Sequence, residues 1–225
     1  FALPLFCNAG TPILLNLTDP LATLAVVGLL VAWLLRWSPW ALGFWALVAV
    51  LSREQNLLIV LIVFLQAAVT RRWTNAFVMT LASFVLLAWV VALKGIYGTW
   101  PFVSDNLAPL LTGIFSILHH RSFIHTTGMI LLLVQVSLSL SLPFFRAERT
   151  ATLVALTGAV LALFGGEVVY AGLDSYNRVF LWMPLGVWLW CIVSKRTWPM
   201  LLLAPWAMWP AVALLQAWRT VLAQP

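Results

Sequence analysis

Leu51-Ser52-Arg53-Glu54-Gln55-Asn56 interrupts an apolar run that extends from Trp40 to Val69 and holds no other charge. As one helix, at about 1.5 Å per residue, the run would be roughly 45 Å long, against a bilayer hydrocarbon core of about 30 Å. A single straight span fits poorly. The polar hexapeptide therefore reads as the junction of two short helices, Trp40 to Leu51 and Asn56 to Val69. That reading puts Arg53 and Glu54 at or near one membrane face, where headgroups and phosphates lie.

The rest of the chain sets the class. Of its 225 residues 64% are hydrophobic and 8% charged, with a mean hydropathy of +1.04, values that no soluble core of this size needs. Apolar runs of about 15 to 20 residues recur and the in-out alternation of barrel strands is absent, so helices must satisfy the backbone in lipid. The expected fold is all-α: a polytopic helical membrane protein with about eight membrane helices, a short helical hairpin among them, plus one interfacial amphipathic helix. Residues 1–225 read as a single transmembrane domain of a longer protein, without its N-terminal spans and first outer loop. The chain begins at Phe1, with no basic n-region or cleavage site to mark a signal peptide. Fourteen Trp, many beside charged loops, suit aromatic belts at two interfaces. The net charge of +6 records which loops stay cytoplasmic and does not point to nucleic acid. Cys7 and Cys191 lie far apart with no metal-type neighbours and say nothing about redox compartment.

Along the chain, Asp19 N-caps a helix with Pro20 in its first turn, and that span closes at Arg36-Trp37. The hairpin closes at Arg71-Arg72-Trp73, and Thr74 to Leu93 crosses next. Residues 94–127 read as an outer-face loop. Within it Leu107, Leu110, Leu111, Ile114, Phe115 and Leu118 recur at helical spacing, which predicts an amphipathic surface helix from Asn106 to His119 with Pro109 in its first turn. Further spans are expected over Gly128–Phe145, Ala151–Tyr170, Val179–Val193 and a kinked Met200–Trp218. With the hairpin, Arg36, Arg71, Arg72, Arg146, Arg149, Lys195 and Arg196 share one side with Glu148, and that side is cytoplasmic. The other face carries Arg53, Lys94, Arg121, Arg178 and Arg219, all three His, and five of the six acids.

A face with mixed charge, His and Tyr is where a membrane enzyme places a polar site. Arg53 offers a phosphate a forked donor, or is simply solvated with Glu54 between two helices. Arg178, at a helix start, suits either anion binding or a snorkelling anchor. Asp19 is explained as a cap and Asp105 likewise, whereas Glu167, after two glycines near the end of a span, needs a partner or a raised pKa. His119-His120-Arg121-Ser122-Phe123-Ile124-His125 matches no strong metal pattern and suits headgroups or a lipid-linked phosphate. No Walker-type loop, G-x-S-x-G elbow or H-E-x-x-H is present, so soluble-nucleotide chemistry has no support.

The order Asn16-Leu17-Thr18-Asp19-Pro20 opening a span, Ser52-Arg53-Glu54 between short helices, and Tyr176-Asn177-Arg178 followed by Pro184 resembles bacterial GT-C-type glycosyltransferases. The likeness is to the family 87-like and cell-surface glycopolymer formation proteins, and it runs from about Asn16 to Lys195 on motifs of two to four residues. It implies a multi-pass enzyme of the bacterial inner membrane, active on the periplasmic face. Such an enzyme moves a sugar from a polyprenyl-phosphate donor to a glycan or lipid acceptor without a sugar nucleotide. The family's general base lies in the first outer loop, upstream of this sequence, and Asp19 does not inherit that role by position. A catalytic part stays open for Glu54 and Asp19. The resemblance carries over to Arg53 and Glu54 and to Arg178 at the donor phosphate, with Thr18 and Asp19 lining the pocket mouth; His120 is a further candidate for the phosphate, and Tyr176 and Glu167 for the pocket. No resident metal is implied, and a divalent ion is compatible. A lipid or sugar transporter and a non-catalytic membrane scaffold are the rival readings, the first because kinked spans with charge at one face also suit alternating access.

Overall fold

The computed structural model describes residues 19–98, 108–118, 123–145, 148–165, 182–195 and 197–203. They are helical, with no β-strand among them, as the all-α reading expects. They fall into two compact units, one within Asn16–Val103 and one within Ser104–Pro225.

In the first unit, α1 is described over Asp19–Leu34, and the residue before Asp19 lies outside the described residues. Pro20 still falls in the first turn, where no N–H is needed. The helix ends in a Schellman motif: Arg36 adopts φ 56°, Trp37 N–H donates to Ala32 O at 2.9 Å and Arg36 N–H to Trp33 O at 3.3 Å. Ser38 then caps α2 (Pro39–Ser52), its Oγ accepting from Ala41 N–H at 3.3 Å with Pro39 leading the helix. A 3-10 turn, Glu54–Asn56, joins α2 to α3 (Leu57–Val69). The two short helices expected at the polar hexapeptide are therefore present. A second Schellman motif closes α3, with Arg71 at φ 57°, Arg72 N–H on Ala67 O at 2.8 Å and Arg71 N–H on Ala68 O at 3.0 Å. α4 (Trp73–Tyr97) follows at 25 residues, four beyond the expected Leu93, and stops at Gly98, whose φ of 73° suits a residue without Cβ.

Two close approaches fix the register. A Cβ on Gly28 of α1 would lie 2.5 Å from the Trp45 ring of α2, and one on Gly43 of α2 would lie 3.2 Å from Val78 Cβ of α4. Helices α1 and α2 are thus antiparallel neighbours, and α2 and α4 run side by side in the same direction. The end of α1, the start of α2, the end of α3 and the start of α4 share one end of the unit, which gathers Arg36, Arg71 and Arg72. Among the described helices α4 alone is long and apolar enough to cross a membrane, with a mean hydropathy of 2.5 over an 18-residue stretch of it. Met79, Ala82, Leu86 and Val90 are buried along one side of it, while Phe77, Leu81, Phe84, Leu87 and Val91 are exposed.

The second unit contains α5 (Thr112–Leu118), α6 (Phe123–Ser141), α7 (Arg149–Leu163), α8 (Trp182–Ser194) and a 3-10 segment, Trp198–Leu203. The amphipathic helix expected over Asn106–His119 is shorter, because Leu111 adopts φ 64° and no α-helix runs through it. Pro109 therefore lies outside the helix. Ala108 N–H and Leu111 N–H instead donate to Phe164 O (2.9 Å) and Leu163 O (2.7 Å), carbonyls at the end of α7 that lack helical partners. Ile114 of α5 is not on a surface face but in a core with Met129, Leu132, Val136, Ala159, Ala162 and Met183. At its other end α7 is capped by Glu148, whose carboxylate accepts from Ala151 N–H and Thr150 Oγ–H, each at 2.9 Å. The expected final span beyond Leu203 lies outside the described residues.

Small residues let α7 and α8 meet closely. A Cβ on Gly186 would come within 2.6 Å of Ala151 O and Ala155 Cβ, and one on Gly158 within 2.9 Å of Met183 N. Ten successive residues of α8, Trp182 to Cys191, are buried, the mark of a helix enclosed on all sides. Phe145 stacks on Trp190 at 5.8 Å, and Trp198 packs edge-on against both. Gly186→Ala is expected to destabilise the protein by about 1–3 kcal/mol, because its new methyl meets backbone that cannot swing away. Gly95→Ala, where a Cβ meets nothing within 4 Å, should instead stabilise α4 by up to about 1 kcal/mol. Thermal unfolding of the two purified variants checks the opposite signs.

Candidate functional site

The α2–α3 junction is built around one carbonyl. Ala49 O accepts the last helical bond from Arg53 N–H at 3.2 Å, the Ser52 hydroxyl at 2.9 Å and the Asn56 side-chain amide at 2.9 Å. Asn56 is 4% exposed, and its own N–H closes the 3-10 turn on Arg53 O at 3.0 Å. The amide reaches back seven residues, so it ties the start of α3 to the end of α2. Arg53 is the one residue at the break with extended backbone, φ −157° and ψ 125°. Successive side chains on extended backbone point to opposite sides. Accordingly Arg53 is half-buried and Glu54 exposed, a wider divergence than the 100° of a continuous helix.

The register of α2 against α4 sets the height of this junction. Gly43 lies beside Val78, so Ser52 comes level with about Leu87, and the last ten or so residues of α4, roughly 15 Å, run past it. The junction stands roughly 20 Å from the arginine end, the length of α2 itself. The start of α1 reaches the same height, since the Gly28–Trp45 approach brings Asp19 level with about Glu54. The fold therefore brings Asp19, Arg53 and Glu54 to one end of the first unit, opposite Arg36, Arg71 and Arg72.

Thr18, His120, Glu167, Tyr176 and Arg178 lie outside the described residues. Among the described residues no three His, Cys, Asp or Glu side chains gather as a metal site requires. The residue that sequence reasoning left without a role is Asn56. Its signal was an amide at the first position of an apolar helix, where a side chain capable of donating has a carbonyl to satisfy.

The arrangement presents a guanidinium, a neighbouring carboxylate and a helix start at the end of a rigidly tied turn. An Arg fork held there is suited to an oxyanion such as a phosphate monoester or diester. Asn56→Ala should cost about 1–3 kcal/mol, because a buried bond is lost from the junction. Asn56→Asp should cost more, since it sets a carboxylate against the Ala49 carbonyl. Thermal unfolding of the purified variants reads both. Comparison of the chain with family models, with curated proteins and with solved structures finds no match.

Proposed function

We propose that this chain is a multi-pass protein of the bacterial inner membrane. In this reading it transfers a sugar from a polyprenyl-phosphate donor to a cell-surface glycan or lipid acceptor at the outer face. Arg53 meets the donor phosphate, and Glu54 and Asp19 are the nearby carboxylates. The observation that carries the reading is the half-buried Arg53 at a tied break between two apolar helices.

Two further features support it. The outward positions of α4 are apolar, whereas a helix edge in water is polar. With the arginine end at the cytoplasmic face, the junction lies roughly 20 Å in, short of the far side of a core of about 30 Å. In this reading Arg53 stands near the outer face, roughly 10 Å short of it. An ionisable residue at that depth, in a protein of this kind, marks a substrate path more than a solvated loop. A lipid-linked phosphate is already at the interface and reaches such a position laterally.

Transfer is an inverting displacement at the anomeric carbon. The acceptor oxygen forms the new bond and loses its proton to a carboxylate, while the bond to the phosphate oxygen breaks and the polyprenyl phosphate leaves as an anion beside Arg53. The break between α2 and α3 also suits the discontinuous helices of transporters, so the same assay must separate the two.

Membranes carrying the full-length protein, given radiolabelled polyprenyl-phosphate sugars, should move label from lipid to glycopolymer. Arg53→Ala should lower that rate by about 100-fold or more, with Arg53→Lys restoring it only in part because the fork is lost. Undiminished transfer by Arg53→Ala sinks the assignment. Label that crosses the bilayer without changing its covalent partner establishes the transporter instead.

A further inference from the structure

At the opposite end of the first unit Trp33 holds the Arg72 guanidinium and the backbone of Arg36, with Arg71 in the turn next to Arg72. Trp33, 7% exposed, accepts Arg36 N–H on its carbonyl, donates Nε1–H to Gln66 Oε1 at 3.2 Å, and carries the Arg72 guanidinium over its ring with Cζ 5.1 Å from the centroid. Gln66 belongs to α3, so one indole ties the ends of α1 and α3 to the start of α4. Arg36 and Arg71 both hold left-handed backbone, which glycine adopts without the steric cost of a Cβ. The two motifs therefore fix where these chains leave the helices. The carbonyl ends of α1 and α3 are offset here by the amide starts of α2 and α4, so the arginines supply the net charge of this end. Among the described residues of this unit the carboxylate with a described side chain, Glu54, is at the far end.

A ring beneath Arg72 covers one face of the guanidinium and leaves its in-plane N–H edge for an oxyanion. The apolar surface continues directly from the charges: Leu35 and Val69 precede the two turns and are 66% and 76% exposed, and Trp37, Trp40 and Trp73 are exposed around them. An anion with acyl chains matches both parts at once. A free phosphate would leave the apolar part bare.

We propose that Arg72, stacked on Trp33, forms with Arg36 and Arg71 of the two flanking turns a binding site for the phosphodiester headgroup of an anionic phospholipid. The site lies opposite the Arg53 junction and rests only on the membrane placement of the chain, not on the transferase reading. Its recognition is the stacked fork of Arg72 with two flanking charges, and the acyl chains lie along Leu35 and Val69.

The test uses the full-length protein, first washed in membranes with alkaline carbonate, then purified in detergent and given phosphatidylglycerol or phosphatidylcholine. Native mass spectrometry counts retained lipid. Wild type should stay in the carbonate pellet and retain phosphatidylglycerol in preference to phosphatidylcholine, and the preference should fall about fivefold for each arginine changed to Gln. Arg72→Lys keeps the charge and should lose most of what Arg72→Gln loses. Trp33→Phe keeps a ring but not the Nε1–H bond to Gln66, and should weaken retention at unchanged net charge. Release of wild type by carbonate would overturn the membrane placement and this site with it. Retention in the pellet with equal binding of both lipids, or Arg72→Lys indistinguishable from wild type, would overturn the site alone. Displacement of the lipid by soluble glycerol phosphate would assign the arginines to a free phosphate and also overturn it.

Discussion

A break in an apolar helix strands N–H and C=O groups that need partners, and the structure depends on how the described breaks are closed. At the α2–α3 junction a single carbonyl, that of Ala49, collects three donors, one of them the buried amide of Asn56. At the ends of α1 and α3, Schellman turns return the last N–H groups to the helix, with arginines in the left-handed position. At α7, Glu148 closes the start, while Ala108 and Leu111 close the end from a distant loop. At these described junctions the closures are local or come from one neighbouring segment.

The same constraint explains what could be read in the sequence. The helix pair around Arg53 was legible because length alone forbids a 45 Å straight span and the polar hexapeptide marks the break. The boundaries at Arg36 and Arg71-Arg72 were legible as charge, although not as left-handed turns, since arginine carries no propensity for that conformation. The amphipathic helix over Asn106–His119 was not legible. Its apolar spacing fits a helix through Leu111, but the N–H groups of Ala108 and Leu111 satisfy the end of α7, a partner some fifty residues on that no local pattern contains. Asn56 was quoted and passed over, because its value lies in a carbonyl seven residues back that becomes reachable only once the chain has turned.

The candidate site was legible in part. Sequence singled out Arg53, Glu54 and Asp19 by residue type and position, and the fold carries all three to one end of the first unit. Their height was not legible, because it depends on two close approaches, Gly28 to Trp45 and Gly43 to Val78, that set how far α4 overruns its neighbours. Glycine in an apolar helix is read from sequence as tolerance. Here it sets the register.

That register bears on the chemistry proposed for Arg53. A guanidinium in a fully hydrated loop binds a phosphate weakly, since water competes for both groups and screens the pair. Half-buried, as Arg53 is, a guanidinium acts at lower effective dielectric, where an oxyanion gains more from it and an uncompensated charge costs more. The tied turn then matters in two ways. It holds the donor in place before the anion arrives, so less reorganisation accompanies binding. It also pairs Arg53 N–H with Ala49 O and Arg53 O with Asn56 N–H, so the backbone that carries the guanidinium is satisfied within the junction. The Asn56 amide thus fixes the backbone on either side of Arg53 through a carbonyl of α2, so the proposed anion would meet a donor whose place is set by two helices and not by a loose loop.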